Sequence, residues 1–166
     1  AALQRNTTGV NNTAVGLHAL VSNTTGASNI AVGREALFSN ITGGSNTAIG
    51  KASLKLNTTG GANTAIGVNA LRDNTIGQFN TVIGGLAMLS NIDGIRNVAN
   101  GYQALFKNTS GSGNVAIGLD CMKSNTTGNL NIAIGQNSLP SNSTSDNNTA
   151  IGFEAGHNTL GAGNVF

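Results

Sequence analysis

The chain carries very little charge: 8% of its 166 residues are Asp, Glu, Lys or Arg, against about 25% in ordinary globular domains. The eight basic and six acidic residues are scattered and leave a net charge of +2. No basic stripe points to nucleic acid. Cys121 is the only cysteine, which excludes an internal disulfide and a cysteine-built metal set. Tryptophan is absent and Tyr102 is the only tyrosine, so there is no aromatic platform for a sugar. No apolar run reaches the roughly 18 residues of a membrane span, and no charged leader precedes an apolar stretch. This segment is therefore expected neither to insert in a membrane nor to carry a signal peptide. Low charge with apolar residues at fixed phase reads as order, not disorder.

What the chain does have is a 17-residue period. One asparagine column holds Asn6, Asn23, Asn40, Asn57, Asn74, Asn91, Asn108, Asn125 and Asn142. A second holds Asn12, Asn29, Asn46, Asn63, Asn80, Asn97, Asn114, Asn131 and Asn148. Gly16 and its equivalents through Gly152 follow in step, giving the consensus NTTGxxNTAIGxxALxx nine times. A fixed short period means a stack of like units, each contacting its neighbours, and not a globule around a pocket. The expected organisation is one array over 1–166: a partial coil 1–5, nine repeats over 6–158, and a partial coil 159–166. The sequence starts in the "AL" phase and stops in the "NTA" phase without a polar cap, so the expectation is a segment of a longer fibre.

Seventeen residues are too few for a helix pair, which needs about 33. The column from Thr13 and Ile30 to Thr149 is entirely β-branched, which favours strand. Two residues on, the column from Val15 and Val32 to Ile151 points to the same side, and that side is read as the interior. On this reading Ile66→Asp costs several kcal/mol, and Asn100 is a lone polar group among core isoleucines, marking a water site or a kink. The "AL" segment is read as a second strand whose Leu20, Leu37, Leu54, Leu71, Met88, Leu105, Met122 and Leu139 form a second core ladder. NTTG is a turn. The fold class is then all-β: a parallel β-solenoid with one 17-residue coil per repeat and about nine coils, forming a rod of about 45 Å at the inter-strand spacing.

Both asparagine columns are read as structural ladders, because stacked amides satisfy each other's donors and acceptors at every level. Asn6, Asn23, Asn57 and Asn125 also open N-T-T glycosylation signals, which the turn consensus explains without modification. Cys121 occupies a column otherwise filled by Ala or Ser (Ala19, Ala36, Ser53 and onward) and reads as a small core residue.

The stretch Gly60 to Leu71, GGANTAIGVNAL, resembles the head repeat of YadA-like trimeric autotransporter adhesins, where G-x-x-S-x-A-I-G-x-x-A-x-A recurs. Tandem repeats of bacterial and phage fibre proteins are similar. The present repeat carries a longer NTT turn than the family's. The resemblance implies a left-handed parallel β-roll with three chains side by side.

No catalytic constellation emerges. The carboxylates are Glu35, Asp73, Asp93, Asp120, Asp146 and Glu154. Glu35 and Asp120 share a column but sit five coils apart, about 24 Å, whereas a carboxylate pair works at roughly 5–9.5 Å. The only histidines are His18 and His157, too far apart for a triad or a metal cluster. The expectation is a non-enzymatic structural or adhesive rod, without cofactor or metal, on a cell surface or outside the cell. It is expected to be a homo-oligomer, trimeric for preference, with head-to-tail stacking as a further contact. The candidate interface residues are Val21, Phe38, Leu89, Phe106, Tyr102, Leu119 and Phe153, larger apolar groups left over once the ladders fill a thin coil. The alanine column Ala14, Ala31, Ala48 and onward is read as permitting close approach of chains. The alternatives are the shaft of a phage tail fibre or an ice-binding solenoid using the threonine row Thr7, Thr24, Thr58, Thr75, Thr109 and Thr126.

Overall fold

The computed structural model describes residues 1–158 and 161–166; the start of the expected partial coil 159–166 lies outside the described residues. Nine short strands follow one another: β1 Thr13–Val15, β2 Ile30–Val32, β3 Thr47–Ile49, β4 Thr64–Ile66, β5 Thr81–Ile83, β6 Val98–Asn100, β7 Val115–Ile117, β8 Ile132–Ile134 and β9 Thr149–Ile151. They form one parallel sheet in sequence order. Each residue pairs with the residue 17 further on, as Ala48 does with Ala65. There is no helix among the described residues. The chain is a β-solenoid, one coil per 17 residues, and the unslipped columns of the sequence are its ladders.

The interior is not on the side the β-branched columns suggested. The alanine column is buried completely from Ala31 to Ala150. Its flanking Thr and Ile/Val columns point outward, as in β3, where Ala48 is buried between half-buried Thr47 and exposed Ile49. The reason lies in coil thickness and alternation. Asn46 and Ala48 share one side of the strand because side chains alternate with period 2. Asn46 must lie inside to bridge coils, so Ala48 lies inside with it. The interior is then already occupied by Leu20, Leu37, Leu54, Leu71, Met88, Leu105, Met122 and Leu139, all fully buried. Opposite that ladder there is room only for alanine. Coil five alone has Val82 there, and its facing ladder residue is the adaptable Met88.

The "AL" segment is not a strand either. It carries left-handed residues in alternation, with φ of 59° at His18 and 52° at Leu20, repeated in later coils. Yet it stacks regularly: Leu54 N–H donates to Ala70 O at 3.1 Å and Ala52 N–H to Arg34 O at 2.9 Å. Alternating conformations send the amides of Ala52 and Leu54 to the coils on either side, while Ser53 N–H bonds Gly50 O within its own coil at 3.4 Å, and the chain curls too tightly for extended backbone. In the turn, the N–H groups of Thr24, Thr25 and Gly26 converge on one carbonyl, that of Ile41 in the next coil, at 3.0, 3.2 and 3.3 Å.

The two asparagine columns hold this stack together. Asn57 Nδ2 donates to Asn40 Oδ1 at 2.8 Å and to Gly60 O at 2.9 Å. In the second column, Asn63 donates through its backbone N–H and its Nδ2 to Asn46 Oδ1 at 3.0 and 3.2 Å, and through Nδ2 to Gly77 O at 2.8 Å. Gly60 O also accepts from Asn46 Nδ2 at 2.9 Å, so a single carbonyl ties both ladders. Asn23, Asn57 and Asn125 are buried and spend their amide nitrogens in this way. The outermost, Asn6, bonds Gly9 O at 2.8 Å. The nitrogen a glycan would need is engaged at each of these signals.

Closeness at the turn fixes one glycine column. A Cβ at Gly43 would collide with Asn40 Oδ1 and Gly60 O and lie 2.9 Å from Asn57 Nδ2. Gly43→Ala is expected to cost about 3 kcal/mol or more. Gly44→Ala is expected to cost much less, because the closest contact of its Cβ is Ala27 O, at a tight 3.1 Å, and that column already holds Ala27 and Gln78. Urea denaturation of the two variants checks the contrast.

Candidate interaction surface

The outward side of β1–β9 is a continuous strip two side chains wide. Its columns run from Thr13 to Thr149 and from Val15 to Ile151, and every member except Asn100 is β-branched. Coils lie about 4.8 Å apart, so neighbouring side chains partly cover one another. Ile49, Ile83, Ile117 and Ile134 still keep 36–40% of their surface exposed. Asn100 stands on this outer face, not in the core, and causes no kink. It pairs with Ile83 and Ile117 in the unbroken ladder, and its carbonyl accepts from Gly118 N–H at 2.8 Å.

Charge is segregated from this strip. Every charged residue except Asp93, Arg96 and Asp146 falls in the "AL" segment, and the strip itself has none. Along the "AL" face the charges pair locally. Lys55 Nζ lies 2.8 Å from Glu35 Oε2 and Arg34 Nε 3.3 Å from Glu35 Oε1. The hydrogen bond from Lys55, ahead of the opposing desolvation, holds the Glu35 carboxyl below its ordinary value. Arg72 binds Asp73 through two hydrogen bonds of 2.7 and 2.9 Å, which raises the guanidinium's pKa. Lys123 Nζ lies 3.1 Å from Asp120 Oδ1, near enough to pair although not aligned as a hydrogen bond. This is a solvated face on which part of the charge is paired, and such exposed pairs contribute little to stability.

The candidate interface residues divide between the two faces. Val21 is buried, and Phe38, Leu89 and Phe106 are half-buried. They belong to the charged face, where the Lys55 ammonium lies 5.9 Å from the Phe38 ring centroid. They are covered in part by the coil's own side chains. Tyr102, Leu119 and Phe153 are exposed, at 51%, 44% and 67%, immediately past the glycine corner that ends the strand. They border the strip in a column that also holds Arg34, Lys51 and Gln136, so that edge is apolar only in part. The larger part of the surface, the β-branched columns themselves, was hidden from sequence reasoning because those columns were assigned inside. The signal that could have revealed it is the asparagine-alanine parity described above.

The threonine row of the turn is engaged internally. Thr7, Thr24, Thr58, Thr75, Thr109 and Thr126 each donate their hydroxyl to a backbone carbonyl in the next coil, at 2.9–3.1 Å. Elsewhere, Glu35, Asp120 and Glu154 occupy the same column of separate coils, Asp120 and Glu154 two coils apart. His18 lies edge-on to Phe38 with ring centroids 6.1 Å apart, and His157 is exposed. Among the described residues, no three His, Cys, Asp or Glu side chains group so as to hold a metal ion, and no helix is long and apolar enough to cross a membrane.

Cys121 is buried in the core. Burial pushes its thiol up to about 12, against a weaker opposing hydrogen bond with the Ile117 backbone. Its folded pKa is thus above the unfolded value of about 8.5, and the protonated thiol's contribution is fully present below that value. Stability attributable to this group should fall by about 1.4 kcal/mol per pH unit as pH rises from there toward the folded value. Subtracting the Cys121→Ala profile from the parent's in urea titrations isolates that slope, and alanine is the column's usual occupant.

Comparison of the chain with family models, with curated proteins and with solved structures gives no match. The functional reading therefore rests on the surface itself.

Proposed function

We propose that this chain is the shaft of a non-enzymatic structural or adhesive fibre on a cell or virion surface, assembled as a homotrimer through the outward strand face. The observation that carries this reading is the β-branched strip running along all nine strands without a charge of its own, bordered by Arg34 and Lys51 only past the glycine corner. A contiguous exposed apolar patch of this extent marks an interaction site, and interface cores are depleted of charge. A second copy fits it well, because a self-similar ladder of Val, Ile and Thr packs against another of the same pitch. Three copies, the number the YadA-like resemblance implies, allow the strip and the adjoining Tyr102, Leu119 and Phe153 edge to serve two neighbours. On this reading the "AL" face looks outward and the chain has no turnover of its own. Hydroxyl-radical footprinting tests it. Ile49, Ile83 and Ile117 should be shielded several-fold relative to the exposed turn residues Val10 and Leu130. Equal labelling would reject the covered face.

A second reading, ice binding, has one observation in its favour. Thr47, Thr64 and Thr81 stand in register in consecutive strands, unlike the internally bonded threonines of the turn. Thermal hysteresis in solutions of the native protein would support it, and its absence would leave the shaft reading.

A further inference from the structure

A uniform ladder creates a difficulty for lateral assembly. Where a column presents nearly the same side chain in every coil at a spacing of about 4.8 Å, as the Ile/Val column does, that column packs copies displaced by one coil nearly as well as level copies. Displacement that does not close produces open, staggered assemblies instead of a ring of three. Register is weakly specified wherever the pattern does not distinguish one alignment from the next. The outer Ile/Val column breaks its uniformity at one place, Asn100, between Ile83 and Ile117. In the single chain this side chain is exposed and its amide makes no hydrogen bond to the protein, so nothing within the coil requires it.

We propose that Asn100 is the register key of the assembly: it aligns the copies level and parallel by meeting Asn100 of its neighbours. This rests on the trimer reading above and adds to it the residue that fixes the alignment. In a level, parallel trimer each position of this column faces its own equivalent around the axis. The Asn100 amides then offer one another both donors and an acceptor in a place shielded from water. A one-coil displacement sets Asn100 against Ile83 or Ile117, and a buried amide without a partner is penalised. The polar residue weakens the interface in the correct alignment and weakens it more in every other. A lone asparagine in an apolar coiled-coil seam specifies register by the same physics.

The test uses Asn100→Ile, which installs the column's own residue and so preserves the coil, together with Ile66→Cys as a reporter. Level chains bring the reporter positions together within disulfide reach, whereas a displaced chain sets its reporter opposite Ile49 or Ile83. With Asn100 present, mild oxidation should join two chains of each trimer, and sedimentation should give one narrow species. With Asn100→Ile, the crosslinked fraction should fall several-fold and the mass distribution should broaden beyond three chains. A trimer that stays equally narrow and equally crosslinked after Asn100→Ile overturns the register proposal and leaves the trimer standing. A parent protein sedimenting as a single chain overturns the trimer itself.

Discussion

Asn63→Asp is expected to unfold the middle of the stack. Asn63 is fully buried and its Nδ2 donates to Asn46 Oδ1 and Gly77 O. Its Oδ1 accepts from the Asn80 backbone N–H at 3.0 Å and from Asn80 Nδ2 at 3.2 Å. Aspartate keeps the acceptors but removes both donor contacts. It also sets an ionised oxygen against the Asn46 oxygen and the Gly77 carbonyl. A buried charge facing two acceptors should cost about 4 kcal/mol or more. Total stability of a domain is only about 5–15 kcal/mol. Asn63→Ala should cost less, about 2–3 kcal/mol, because it leaves unmet groups without adding charge. Lowering the pH should recover part of the aspartate variant's loss and none of the alanine variant's. A buried carboxyl facing acceptors has a raised pKa, so the charge part of the penalty belongs to the ionised form and disappears below it, while one lost donor contact remains. Thermal unfolding by circular dichroism at two pH values gives the comparison. Equal, small losses for both variants would mean the amide ladder is not what couples the coils.

The paired variant Ile49→Lys with Ile83→Lys is expected to dissociate the assembly and leave the coil folded. Both side chains lie outside the core, and a lysine on a solvated strand changes single-chain stability by about 0.5 kcal/mol or less. In a trimer the same ammonium groups would be buried among isoleucines without partners. Uncompensated buried charge costs several kcal/mol, enough to weaken association at least 100-fold, since about 1.4 kcal/mol is tenfold. For the same reason Ile66→Asp, a core lesion only if the Ile/Val column lay inside, should act on assembly and not on folding. Strand content by circular dichroism should be unchanged while the mass falls. Loss of strand signal together with mass would place these columns back inside the coil.

The period, the all-β class, the parallel stacking and both asparagine ladders were legible because each depends on one residue type recurring at one phase. Leu54 and its equivalents were legible as core for the same reason. What the sequence obscured was sidedness. Ile49 is more apolar than Ala48, and ordinary practice places the larger hydrophobe inside. The coil is too thin for that. Leu54 fills the interior from the opposite wall, and the buried amide of Asn46 commits Ala48 to the inner side by alternation. Once sidedness is inverted, the candidate surface inverts with it. Tyr102, Leu119 and Phe153 remain exposed, but the wider strip beside them comes from columns that hydrophobicity alone had assigned to the core. The left-handed backbone at Leu20 and Leu54, with φ of 52° and 48°, was also illegible. Leucine does not favour that region; packing into the ladder and the amide bonds to Ala36 O and Ala70 O in the following coils hold it there.

Sedimentation equilibrium of the native chain over a range of concentrations tests the central claim, that the strand face is covered by copies of the same chain. The account predicts a mass three times that of the 16.6 kDa chain, reduced to one chain by Ile49→Lys with Ile83→Lys. A native protein that sediments at the mass of one chain at every concentration, with the strip open to solvent, would contradict it.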